Sequence, residues 1–202
     1  MIKVKRLIYY TDGSCWPNPG PGGYAVVDDQ GEVIKMGGEP ISTNVRMEGQ
    51  AIIQAMREAE GLPLLIRTDS MLWRDILMEY APRWKKNGWY KKPGERGWIK
   101  NLLMVKEAFE LYEKTPTVIQ WVRGHNGDPG NELADAQAEI ARQETITRYP
   151  NSAGGSIHML AEAEEIRRGR EDGAEAGSGH PEQGQASVER LEQEIRDIIG
   201  SW

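Results

Sequence analysis

One cysteine stands in the whole 202-residue chain, at position 15. A single thiol excludes an intramolecular disulfide framework and a Cys-rich zinc site, and it fits a reducing, cytoplasmic setting. Long apolar runs are missing too: none reaches the roughly 18 residues a membrane span requires. No charged-then-apolar leader opens the chain, so neither a span nor a signal peptide is expected. Net positive charge is also lacking, the total being −6, which taken whole would disfavour a polyanionic partner. The distribution reverses that inference. Residues 145–202 carry 11 acidic against 6 basic side chains, whereas residues 83–100 carry Arg83, Lys85, Lys86, Lys91, Lys92, Arg96 and Lys100 against Glu95 alone. Local rather than net charge decides where a polyanion docks.

What is present reads as one α/β domain with an appendage. The 39% hydrophobic content supports a core of ordinary size. Val4, Leu7, Ile8 and Tyr10 make a strand ending at Thr11-Asp12-Gly13, and the Pro- and Gly-rich residues 17–23 read as a connector. Residues 24–27 and 32–36 read as two strands joined by a hairpin turn at 28–31. Ala51, Ile52, Ala55, Met56 and Ala59 share one helical stripe, stopped at Gly61-Leu62-Pro63. Residues 64–67 form a strand running into Thr68-Asp69-Ser70. Ser70 then caps a helix through about Tyr80 that Pro82 should end. A helix over 102–113, a strand over 118–122 and a helix over 131–144 complete a mixed sheet flanked by helices. Residues 1–144 are thus the folded domain and 145–187 a flexible acidic, Gly-rich linker. Residues 188–202 are an amphipathic helix with Val188, Leu191, Ile195, Ile198, Ile199 and Trp202 on one face. That helix suits a protein partner, self-association or docking back onto the domain.

Four acids sit where strands end or helices begin: Asp12, Glu48, Asp69 and Asp135. Any one alone is commonly a turn former or helix cap, so the set carries the inference. Gathered together they would repel one another unless a cation neutralised them. Oxygen-only ligands favour Mg²⁺ or Mn²⁺ over zinc. Two such ions, roughly 3.5–4 Å apart, would activate a water and stabilise the leaving oxygen of a phosphodiester.

The segments TDGSCWPNPGPGGYA (11–25), TNVRME (43–48), TDS (68–70), WKKNGW (84–89) and GHNGDPGNELAD (124–135) occur in one order and spacing. In this the chain resembles the type 1 ribonuclease H family over about residues 4–144. The resemblance implies a ribonuclease H-like fold, a five-stranded mixed sheet with flanking helices. It implies an endoribonuclease that hydrolyses the RNA strand of RNA–DNA hybrids, leaving 5′-phosphate and 3′-hydroxyl ends. Two Mg²⁺ per active site are implied, with Mn²⁺ as the alternative, in a monomeric catalytic domain. Asp12, Glu48, Asp69 and Asp135 match the metal-binding and catalytic carboxylates. His125 matches a mobile histidine that assists proton transfer or product release.

Substrate contacts carry over in the same way. Cys15, Asn18 and Asn44 match residues that read the minor groove, where RNA 2′-hydroxyls are displayed. Thr43 and Asn101 match a pocket gripping a DNA-strand phosphate. Tyr80 and Trp84 match aromatics lying against DNA sugars. Trp84, Lys85, Lys86, Trp89, Lys91 and Lys92 match a basic protrusion that strengthens hybrid binding, although Trp89 and Trp98 also suit plain core packing. The chain departs from the family at Ile41, Val45, Met71 and Leu72, where Arg, a polar amide, Gln and an aromatic are frequent. Loss of those groups should raise KM more than it lowers kcat. Two other readings share the residues: a junction resolvase or transposase-like nuclease of the same fold, and a silent hybrid-binding module. Intact carboxylates argue against the second.

Overall fold

A computed structural model describes residues 6–92 and 99–150. The predicted linker beyond residue 150, the 188–202 helix, Val4, Glu95, Arg96 and Trp98 lie outside the described residues. The sheet has five strands: β1 (Leu7–Cys15), β2 (Gly20–Asp28), β3 (Val33–Ser42), β4 (Leu64–Thr68) and β5 (Thr117–Trp121). Their order is β3-β2-β1-β4-β5. β1, β2 and β3 form an antiparallel meander, while β1–β4 and β4–β5 pair in parallel. The helices are α1 (Asn44–Glu58), α2 (Met71–Asp75), α3 (Ala81–Lys86), α4 (Leu102–Lys114) and α5 (Pro129–Arg148).

Alternation along β1 divides the core in two. Tyr9 packs with Ile52, Ile53, Trp73 and Phe109 on the face covered by α1 and α4. Tyr10 packs with Val27 and Ala134 on the face covered by α5. Glycine sets how closely the helices approach. A side chain at Gly13 would strike the backbone of Met47 and Glu48, and one at Gly23 the backbone of Ala138, Ala141 and Arg142. Helix thus lies directly on strand at both places.

Element order agrees with the sequence reading, but several boundaries differ. β1 continues through Asp12 to Cys15 because its ladder to β2 extends as far as Cys15 opposite Gly22. Gly20 to Gly23, expected as connector, therefore belong to β2. α1 begins at Asn44, capped by the Thr43 hydroxyl, so Glu48 stands in its second turn rather than at its start. Pro82 does not end a helix. A single π turn over Ile76–Tyr80 precedes it, and the Ala81 N–H reaches back to the Ile76 carbonyl. The wider turn relieves the crowding a proline ring imposes on the preceding turn, and the chain stays helical to Lys86. α5 runs on to Arg148, and among the described residues no helix is long and apolar enough to cross a membrane.

Candidate active site

β1 and β4 run parallel, with Thr11 opposite Thr68, so Asp12 and Asp69 emerge side by side at one end of the sheet. That end, beyond the carboxyl termini of parallel strands, is where α/β sheets place ligands. Asp12 is buried, and its Oδ1 accepts the Gly13 N–H at 2.6 Å. Burial, then the charges of Asp69, Asp135 and Glu48, push its carboxyl up to about 8. Asp69, Asp135 and Glu48 therefore all stand within electrostatic reach of Asp12.

Each of the other three is delivered by a different element. Close approach of α1 over Gly13 brings Glu48 in, and its Oε2 accepts the Ser70 hydroxyl at 2.5 Å. Burial and Asp69 push Glu48 up to about 7, against the lowering effect of that bond. Ser70 also caps α2, accepting the Trp73 N–H at 3.3 Å, so one hydroxyl fixes both a helix start and an acid. Asp69 has its carbonyl held by the Trp121 indole N–H at 3.0 Å. The 122–128 loop passes so close that a Cβ on Gly124 would lie 2.5 Å from Asp69 Oδ2. Asp128 then caps α5 through the Gly130 and Asn131 N–H groups, and Asp135 follows about two turns along. His125 is 81% exposed on that loop, with Nδ1 3.8 Å from Asp135 Oδ2.

Among the described residues no Lys or Arg acts on Asp12 or Glu48 strongly enough to offset burial. An all-oxygen donor set with a surplus of negative charge suits a hard divalent cation. Among the described residues no three side chains form a ready-made metal cage.

The expected substrate residues divide by geometry. The Asn18 side-chain oxygen accepts the Asn44 N–H at 3.2 Å, linking the 16–19 loop to the start of α1. Thr43 Oγ1 accepts the Arg46 N–H at 3.2 Å, leaving its O–H to donate. Asn101 is buried in a left-handed conformation, and its Oδ1 has no partner. It lines a cleft of about 210 Å³ with Val45, Tyr80, Trp84, Lys91 and Lys100. The Tyr80 and Trp84 rings lie 5.6 Å apart. Lys86, Lys91 and Lys92 are exposed.

Three of the expected contact residues are engaged within the fold. The Cys15 thiol is buried and turned toward the Pro17, Gly20 and Ser42 carbonyls at 3.3 Å, with burial pushing it up to about 11. The thiol packs the strand end. Lys85 is engaged by Glu113 at 2.6 Å and lies over the Phe109 ring. Trp89 packs edge-on against Phe109, centroids 6.3 Å apart, so core packing accounts for its side chain. Sequence reasoning also missed three supports of the acids. Ser70 was legible only as a cap, while Trp121 and Gly124 carried no local signal, because their partners lie some 50 residues away.

Fold and acid cluster together define a ribonuclease H-like α/β domain. The RNase H family model matches residues 4–143. Ribonuclease H of Nitrosomonas eutropha is 37% identical over 158 residues, covering 72% of this chain and 94% of its own length. That of Maricaulis maris is 40% identical over 152 residues, covering 73% of this chain and 100% of its own. Among solved structures, LC9-RNase H1, described as a type 1 RNase H with the type 2 active-site motif, matches with a TM-score of 0.60. It is 28% identical, over 72% of this chain and 75% of its own. The chain belongs to the ribonuclease H family.

Proposed function

We propose that this chain is a metal-dependent endonuclease that hydrolyses the RNA strand of RNA–DNA hybrids, leaving 5′-phosphate and 3′-hydroxyl ends. What supports the reading is that Asp12 lies at one sheet end within reach of the charges of Asp69, Asp135 and Glu48, with burial and neighbouring acids raising Asp12 and Glu48 above the usual carboxylate range. Asp12, Asp69 and Asp135 would hold one cation, and Asp12 with Glu48 a second. Mg²⁺, or Mn²⁺, would neutralise the cluster and supply Lewis acidity to phosphodiester hydrolysis.

The protein's own groups do the positioning. Ser70 fixes the Glu48 carboxyl, and Trp121 fixes the backbone of Asp69. Asn18 and Asn44 present amides at the loop edge, suited to ribose hydroxyls in a minor groove. Tyr80 and Trp84 offer ring faces to the other strand. His125, exposed beside Asp135, is free to carry a proton to or from solvent. In the reaction, water oxygen bonds to phosphorus, the P–O3′ bond breaks, and O3′ leaves as a hydroxyl on taking up a proton. Incubating labelled RNA–DNA hybrid, RNA duplex and DNA duplex with Mg²⁺, with and without chelator, tests this directly. Only the hybrid should be cut, only without chelator, and not by Asp12→Asn or Asp69→Asn. Cleavage by either variant would overturn the assignment.

A further inference from the structure

The 16–19 loop carries a feature that the catalytic acids do not account for. Trp16 is 71% exposed, among the most open of the large apolar side chains described. A solitary exposed apolar residue is ordinary on protein surfaces. The backbone beneath this one is clamped on both sides. Its N–H donates to the Pro21 carbonyl at 3.3 Å, and its carbonyl accepts Arg142 Nη1 at 3.2 Å.

Arg142 is itself buried, and it is locked to Glu139 through Nε at 2.8 Å and through Nη2. Glu139 also accepts the Ser14 hydroxyl at 2.9 Å. Two contacts therefore join β1 and the residue after it to α5: Ser14 meets Glu139, and Trp16 meets Arg142. Asp12, on the same strand, senses the charge of Asp135 on the same helix. From Asp12 to Trp16 the chain advances roughly 13 Å by strand rise. Burying a guanidinium costs desolvation that its ion pair repays poorly, so stability alone is a weak reason for such a brace. Fixing where Trp16 stands is a better one. The same loop is tied at Asn18 to the N–H of Asn44 on the other side.

We infer that Trp16 is a further substrate-binding residue, a flat apolar surface against the sugars of the strand being cut, with Arg142 as its positioning residue. An aromatic face held in advance loses little entropy on binding and tolerates any base sequence. The inference rests on the proposed hybrid substrate. Arg142 shapes no chemistry of its own and acts only by presenting Trp16.

The test uses the full chain, with steady-state kinetics on labelled RNA–DNA hybrid in Mg²⁺ and hybrid binding by anisotropy in chelator. Trp16→Ala should raise KM and weaken binding roughly tenfold, with kcat within about twofold, while Trp16→Phe keeps most of the affinity. Leu62→Ala, at the turn after α1, is the surface control. Arg142→Ala should match Trp16→Ala and add nothing in the double variant, and Arg142→Lys should recover part of the loss. Trp16 is exposed, so its variants report even where Arg142→Ala fails to fold. Unchanged KM and binding in Trp16→Ala, or full additivity with Arg142→Ala, would overturn the inference while hybrid cleavage by the parent stood. A parent that neither binds nor cuts hybrid would overturn both this inference and the function it rests on.

Discussion

Replacing Asp12 by Asn should stabilise the chelator-treated protein at alkaline pH, although it removes one of the proposed metal ligands. The Asp12 carboxyl is raised from 3.8 to about 8 by burial and by three neighbouring acids. Between those values the folded chain holds a proton that the unfolded chain has released. Stability is therefore complete below about pH 4 and is lost as pH climbs toward 8. Integrated to about pH 8, that single group costs at most about 5 kcal/mol. Water entry and relaxation of the exposed 122–128 loop reduce the figure, and a gain of about 2–3 kcal/mol is expected for the variant. Glu48, raised to about 7, adds a further loss of the same sign. Urea unfolding in chelator at about pH 5 and about pH 8 reads the effect from the midpoint at constant m-value. The parent should weaken between the two, and Asp12→Asn should weaken less. Adding Mg²⁺ at the higher pH should restore the parent and leave the variant unmoved. A parent that grows more stable from pH 5 to 8 without metal, or a variant no stronger than the parent at pH 8, would refute the burial-and-repulsion account.

Gly124→Ala places a Cβ against Asp69 Oδ2 and should lower kcat at least tenfold while shifting Tm by only a few degrees, as paired kinetics and thermal melts would show. Val45→Asn with Met71→Gln returns polar groups to a half-exposed apolar surface and should lower KM roughly tenfold with little change in kcat; an unchanged KM would count against it. Ser70→Ala removes a helix cap and the Glu48 hydrogen bond together, costing about 1–2 kcal/mol in urea unfolding and lowering kcat as well.

Local chemistry made much of this protein readable from its residues. Period-two and period-3.6 apolar patterns located five strands and the main helices, and Ser70 announced the start of α2. Motif order named the family and pointed to the four acids. Boundaries were less legible, because they depend on partners. The ladder to Gly22 carries β1 past Asp12, and a π turn keeps the chain helical through Pro82.

What only tertiary structure decided is how the acids are held. Gly13 lets α1 lie on β1, Ser70 turns back to Glu48, Gly124 passes beside Asp69, and Arg142 on α5 grips the loop after β1. Composition and periodicity are summed over neighbours in the chain, so a window of a dozen residues captures them. A hydrogen bond or a steric gap between residues 14 and 139 is a property of the packed sheet. Charge shows the same division: the residues declare four carboxylates, but only burial beside other acids at one sheet end makes two of them reluctant to ionise.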